Sequence, residues 1–240
     1  MTERSSRAAR RGGRALAVLL LVAGAALAAP PAEATDPTCP AAPVPQIRVE
    51  IAEQDVAYDR SRTAAELRAL DANAAPEWLR GRGNLLGFTQ HLIGLDFGKL
   101  TAITAQAEGG LCVGFRDGTL TLEIATTIHV ASEIPAGSCL DREMIAHEWK
   151  HHELGLKLIA AHARELEARF AVALAEQPFV FTPSANVAGV AIGRLREIMD
   201  PAGQDFDEVY PREELTLDTA AEYQRILDAC PGEQQRLLDR

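Results

Sequence analysis

Apolar and polar residues alternate most cleanly between positions 119 and 130. Leu120, Leu122, Ile124, Thr126 and Ile128 interleave with Thr119, Thr121, Glu123, Ala125 and Thr127, the period of two expected of a strand with one covered face. Ile47, Val49 and Ile51 alternate in the same way with Arg48, Glu50 and Ala52, and residues 56–58 extend that strand or begin another. Residues 88–97, 100–107 and 112–115 read as further strands. The tripeptide Arg116-Asp117-Gly118 stands between two of these runs and predicts a hairpin. One apolar and one polar face per strand is the mark of an antiparallel sheet covered on one side.

Helical signals have a different spacing. Thr63 and Glu66 stand three apart, a capping-box spacing that opens a short helix. Ser138 and Asp141 repeat that spacing ahead of a long helical pattern running to about Gln177, with Met144, Ile145, Leu154, Leu158, Ile159, Leu166 and Phe170 as its apolar positions. Pro178 and Pro183 break it. Residues 187–199 read as a second helix closed by Pro201, and residues 217–230 as a third. Strands followed by helices predict a single α+β domain, in which a mostly antiparallel sheet precedes a long helix and C-terminal helices.

The first 28 residues do not belong to that fold. Arg4, Arg7, Arg10, Arg11 and Arg14 form a basic head, residues 15–29 an apolar run, and Ala26-Leu27-Ala28 a small-residue cleavage site. This is the layout of a secretory signal peptide, and the run is shorter than the roughly 20 residues a membrane span needs. Residues 29–45, rich in Pro and Ala, read as an extended leader, and residues 46–240 as the functional domain. The whole chain of 240 residues carries a net charge of −10. Loss of five Arg and Glu3 with the signal leaves 19 basic and 33 acidic residues. Such an acid excess argues against nucleic acid as a partner. A soluble periplasmic or secreted protein without a membrane anchor is expected. Four cysteines, all beyond the signal, favour two disulfides in an oxidising compartment; the preferred pairing is Cys112–Cys139 with Cys39–Cys230.

Chemistry concentrates in His147-Glu148-Trp149-Lys150-His151. Two His four apart on a helix lie one turn above each other on one face, so their ring nitrogens converge on a single Zn²⁺ about 2 Å away, with Glu148 beside it as catalytic base. A zinc-activated water attacking a peptide carbonyl is the reaction this pattern serves, with peptides or proteins as substrates. The third ligand is not set by spacing. Lys157 occupies the position six beyond His151, so the ligand must return from the helical tail, where Glu197, Asp200, Asp205, Asp207, Glu208, Asp218 and Glu222 are candidates. His162 lies eleven residues past His151, roughly 16 Å along a helix and too far to share the ion. His152 points about 100° away and reads as surface or as a neighbour of the ligands, Glu153 as solvated, and His91 and His129 as strand residues.

At these residues the chain resembles the exported bacterial zinc-dependent proteases of domain-of-unknown-function family 922, within the HExxH zincin group. Tyr58 with Thr63 to Leu67, Gly87 to Phe97, Cys112-Val113 and residues 119–135 are similar to its strands and helix, and His147 to Glu153 to its metal-binding helix. The resemblance implies a zincin-like fold with His147 and His151 as zinc ligands and Glu148 as base. Members commonly carry a late His-Gly dipeptide; no His follows His162 here. The alternative to a peptidase is a catalytically inactive zincin-like scaffold that binds zinc or a protein partner.

Overall fold

A computed structural model of the chain describes residues 39–40, 44–70, 85–183 and 185–233. The expected signal peptide and most of the leader lie outside the described residues. The elements in chain order are β1 (Ile47–Glu53), β2 (Ala57–Asp59), α1 (Ala64–Leu70), β3 (Gly87–Asp96), β4 (Ala102–Ala107), β5 (Gly110–Phe115), β6 (Gly118–Val130), α2 (Cys139–Glu176), β7 (Phe179–Thr182), α3 (Val187–Glu214) and α4 (Ala220–Ala229). The chain is mixed α+β, and its strands form two sheets rather than one.

β6 is the spine of the first sheet. One edge pairs antiparallel with β3, placing Phe88 opposite His129 and His91 opposite Thr126. The other edge pairs parallel with β1 and then, farther along, with β2. This sheet is therefore mixed, whereas a mostly antiparallel one was expected. The alternating pattern reports only which face is covered, and both strand directions satisfy it. In the second sheet β4 and β7 flank β5, both antiparallel.

No hairpin forms at Arg116-Asp117-Gly118, because β5 and β6 belong to different sheets. The tripeptide carries the chain from one to the other. Asp117 accepts a hydrogen bond from the Gln46 backbone N–H at the start of β1. A Cβ on Gly118 would stand 2.7 Å from the Lys99 carbonyl oxygen, so this glycine permits a close backbone approach rather than a left-handed turn.

The capping box at Thr63 is complete, while at α2 only the Ser138 half forms and the Asp141 carboxylate accepts the Gly137 N–H at 2.7 Å instead. Thr63 and Glu66 exchange hydrogen bonds at 2.8 and 3.2 Å, and the Ser138 hydroxyl accepts the Asp141 N–H at 3.2 Å. The buried face of β6, with Leu120, Leu122, Ile124 and Ile128, supplies three apolar clusters, joined by Met144, Ile159, Ala163, Phe170 and Leu174 of α2. α3 completes one cluster through Ala191, Leu195 and Ile198.

α3 does not stop before Pro201; Pro201 and Pro211 both lie inside it. A proline within a helix costs about 3 kcal/mol. Tertiary packing offsets it: Ile198 and Ala202, on either side of Pro201, are buried against the core. The cysteines pair as Cys39–Cys112 and Cys139–Cys230, not as expected. The first ties the leader to β5, and the second ties the start of α2 to the end of α4. Cys112 and Cys139 lie on separate layers, and composition carries no information about which ends meet.

Candidate metal centre

α2 buries a stripe at helical spacing, and within its first third the stripe turns from apolar to ionisable: Met144 is followed by His147, Glu148, His151 and His152 before Ile159 resumes. His147 is 1% exposed, Glu148 3% and His151 7%. Groups of this kind are not buried without partners. The partners come from the end of α3 and the start of α4.

Asp218 precedes the α4 N-cap, Thr219, whose hydroxyl accepts the Glu222 N–H. Its Oδ1 lies 3.1 Å from His147 Nε2 and 3.2 Å from His151 Nε2, and the two Nε2 atoms are themselves 3.2 Å apart. A tetrahedral ion with bonds near 2.0 Å holds its ligand atoms about 3.3 Å apart. The three atoms thus form a triangle of the size one ion requires. The Cys139–Cys230 bridge sets this register, since it pins the far end of α4 to the first residue of α2. Counting back eight residues along α4 brings Glu222 beside His147, and four more bring Asp218 level with His151, about three turns into α2.

Carboxylates stand behind both rings. Glu214 receives His151 Nδ1, and Glu222 Oε1 lies 3.5 Å from His147 Nδ1. Glu214 holds the proton on His151 Nδ1 and leaves its Nε2 lone pair facing inward, whereas Glu222 stands near His147 Nδ1 without a hydrogen bond to it. Two lone pairs and a carboxylate oxygen at 3.1–3.2 Å repel one another unless a proton or a metal cation lies between them. Burial alone pulls His151 down, but hydrogen bonds with Asp218 and Glu214 and the surrounding negative field outweigh it and push the ring up to about 10. Asp218 itself, despite burial, is held well below the usual carboxylate range by the two rings. The donor set therefore fits a divalent ion.

Glu148 adjoins this triangle. Burial raises its carboxyl above the ordinary value, against the nearby His151 and His147. The Thr89 hydroxyl, on β3, lies 2.9 Å from Glu148 Oε2 and 3.0 Å from its backbone oxygen. Gly87 makes room: a Cβ there would stand 2.5 Å from Glu148 Oε1 and 2.9 Å from the Met144 methyl. A cavity of about 160 Å³ opens beside these groups, lined among others by Thr89, Glu148, His151, Tyr210, Glu214 and Asp218.

The structure thus gathers His147, Glu148 and His151, and from the seven tail carboxylates it selects Asp218, with Glu222 behind His147. The rest serve elsewhere. Glu197 pairs with Arg194 and Asp205 with Arg169. Asp200 and Asp207 line a separate cavity with His162, and Glu208 and Glu153 are exposed. His129 pairs with Asp59. His152, expected near the surface or behind the ligands, is buried against His91. Glu214 and Tyr210 escaped sequence reasoning because Pro201 was read as a helix end. Their i, i+4 spacing on one helix face is the signal that a continuous helix would have offered.

The fold and this centre define a mixed α+β protein with a His-His-Asp group that could hold a metal ion, beside a buried carboxyl. No protein-family model, curated protein or solved structure matches the chain.

Proposed function

We propose that the chain is a zinc-dependent peptidase acting in the periplasm or outside the cell. The observation that carries this reading is the Nε2–Nε2–Oδ1 triangle with the Glu148 carboxyl buried beside it. His147, His151 and Asp218 would hold the ion, leaving its fourth position open to the cavity. Zinc, when bound, supplies Lewis acidity that polarises a carbonyl and lowers the pKa of water.

The protein's own groups do the rest. Glu148 takes a proton from the attacking water and passes it to the leaving amine. A carboxyl whose proton affinity is raised by burial suits both transfers. Thr89 fixes the rotamer of Glu148 by its hydrogen bond to Oε2, and Glu214 fixes the His151 imidazole. Two disulfides suit an oxidising compartment, and no described helix is long and apolar enough to cross a membrane. Kinship with the family-922 proteases belongs to this same proposal and rests on the pentad and the order of elements.

Metal analysis tests the centre: about one zinc per chain is expected, lost in His147→Ala or His151→Ala. Glu148→Gln should keep its zinc and lose chelator-sensitive cleavage of a peptide library by a hundredfold or more. Equal cleavage by that variant and the parent removes Glu148 as the base. Zinc bound with no cleavage by either leaves the inactive scaffold as the function.

A further inference from the structure

A second cavity, of about 410 Å³, lies along the N-terminal half of α3. Its floor belongs to the core: Phe115 of β5 and Ala191 and Leu195 of α3 are buried in one apolar cluster, and Leu100 and Met199 pack against them. Its lip is apolar as well but open to water, with Phe97 40% and Ile192 52% exposed. Single exposed apolar side chains need no explanation; two large ones at the mouth of an apolar cavity mark a place where something binds.

The opening is written into α3. Ala188, Ala191, Ile192, Leu195 and Met199 recur at helical spacing and form one stripe. That stripe starts small, with two alanines, and a longer side chain at Ala188 would fill the space it borders. The facing wall is held without help from a ligand. The Leu100 N–H donates to the Phe97 carbonyl at 2.9 Å, and the Arg116 N–H to the Thr101 carbonyl at 2.9 Å. Gly118 lets this turn close against β6, since a Cβ there would stand 3.1 Å from Leu100 Cδ1. The cavity is therefore preformed, as sites for small molecules commonly are, and its size falls within their range of roughly 300–1,000 Å³.

Arg196 is the charged residue among those described along the wall, and it is exposed at the mouth. No described residue pairs with its guanidinium; Glu197, next in sequence, is taken by Arg194 at 3.1 Å. An apolar interior with a free cation at its rim is complementary to a molecule with an apolar body and one anionic end. We infer that the cavity takes the alkyl chain of a free fatty acid, roughly ten to twelve carbons at about 30 Å³ each, with its carboxylate at Arg196. The volume admits one such chain, and a guanidinium meets a carboxylate in a two-pronged fit. The site lies about 27 Å along α3 from Glu214, so this inference goes beyond the peptidase reading and does not rest on it.

Equilibrium dialysis of the mature chain against octanoate, decanoate and dodecanoate, each below its micelle concentration, reads the chain site. Each methylene that enters the cavity should tighten binding about fourfold, so equal affinity across the series overturns the inference, as does no binding of any. Decanol, the same chain without the charge, should bind about fivefold more weakly than decanoate, and this preference should vanish in Arg196→Gln. A preference that survives Arg196→Gln, or equal binding of acid and alcohol by the parent, overturns Arg196 as the head-group partner and the fatty acid with it. Ala188→Phe should weaken decanoate binding about tenfold or more by excluding two or more methylenes, with an unchanged circular dichroism spectrum; Ala188→Ser, which keeps the space, should not. Unchanged binding by Ala188→Phe places the acid elsewhere and overturns the site. A carboxylate also ligates zinc, so the series is repeated with a chelator; affinity lost with the metal would place the acid at His147 and His151 and overturn the inference. Sedimentation of the ligand-free chain reads the remaining occupant: a dimer broken by Ile192→Asp would mean that a second copy covers this face, and overturns the inference as well.

Discussion

Asp218 decides the chemistry at the scale of single residues, because it converts two neighbouring imidazoles into a three-cornered donor set. Asp218→Asn should weaken zinc binding by roughly ten- to a hundredfold or more, measured by competition with a chromogenic chelator, whereas Asp207→Asn should leave it unchanged. Gly87→Ala should act chiefly through Glu148, since its other close neighbour is the flexible end of Met144. The new methyl meets Glu148 Oε1 at 2.5 Å, so cleavage should fall at least tenfold with zinc content intact; an active variant would mean that Glu148 need not occupy its present position. A third residue reports on acid stability. The Ser61 hydroxyl and backbone N–H hold the Asp59 carboxyl down to about 2, below its ordinary 3.8. A depressed carboxyl stabilises the fold above its unfolded value, and the contribution disappears as pH falls through the folded value. The melting-temperature gap between the parent and Asp59→Asn should therefore be present near pH 5 and close by pH 2. It should be small, since the group is largely solvated.

Among the elements, α2 and α4 matter most, and the Cys139–Cys230 bridge holds them in register. It closes a sequence separation of 91 residues, for which chain entropy predicts about 4.6 kcal/mol of stabilisation. Replacing both cysteines with Ser should lower stability by about 2–5 kcal/mol. It should also weaken zinc binding without touching a ligand, because Asp218 loses its anchor. Unchanged zinc affinity in a folded double variant would show that packing around Ile226 suffices to place α4. The elements were legible in part. The Thr63 capping box, the Ser138 N-cap, the two faces of β6 and the extent of α2 follow from local spacing, and the structure shows them where they were expected. β7 and the continuation of α3 through Pro201 were not legible. A four-residue strand carries little periodic signal, and proline's local penalty was outweighed by the burial of Ala202 and Ile198.

Taken as a whole, the fold would couple binding of a metal ion to folding. The three ligands come from α2 and from the segment ahead of α4, 67 and 71 residues apart, and only the folded chain brings them together. A ligand that binds the native state at a hundred times its Kd stabilises it by about 2.7 kcal/mol, which for a chain of this size is roughly 5–10 °C in Tm. Removing zinc with a chelator should lower the melting temperature by that amount, and restoring zinc should reverse the change. His147→Ala should melt at the chelated protein's temperature or below and show no response to zinc.

The sequence by itself determined the His147-Glu148-x-x-His151 pairing on one helix face, the covered face of β6 and the helix starts at Thr63 and Ser138. Each depends on residues within a turn or two of one another, where backbone geometry alone dictates who meets whom. Only the tertiary structure decided that Asp218 rather than Asp207 or Glu208 joins the histidines, that β1 and β2 run parallel to β6, that β5 leaves for a second sheet, and which cysteines pair. Those are contacts across long stretches of chain. Seven carboxylates in the tail are chemically alike, and the packing of α3 and α4 against α2 brings one of them within reach of the two rings.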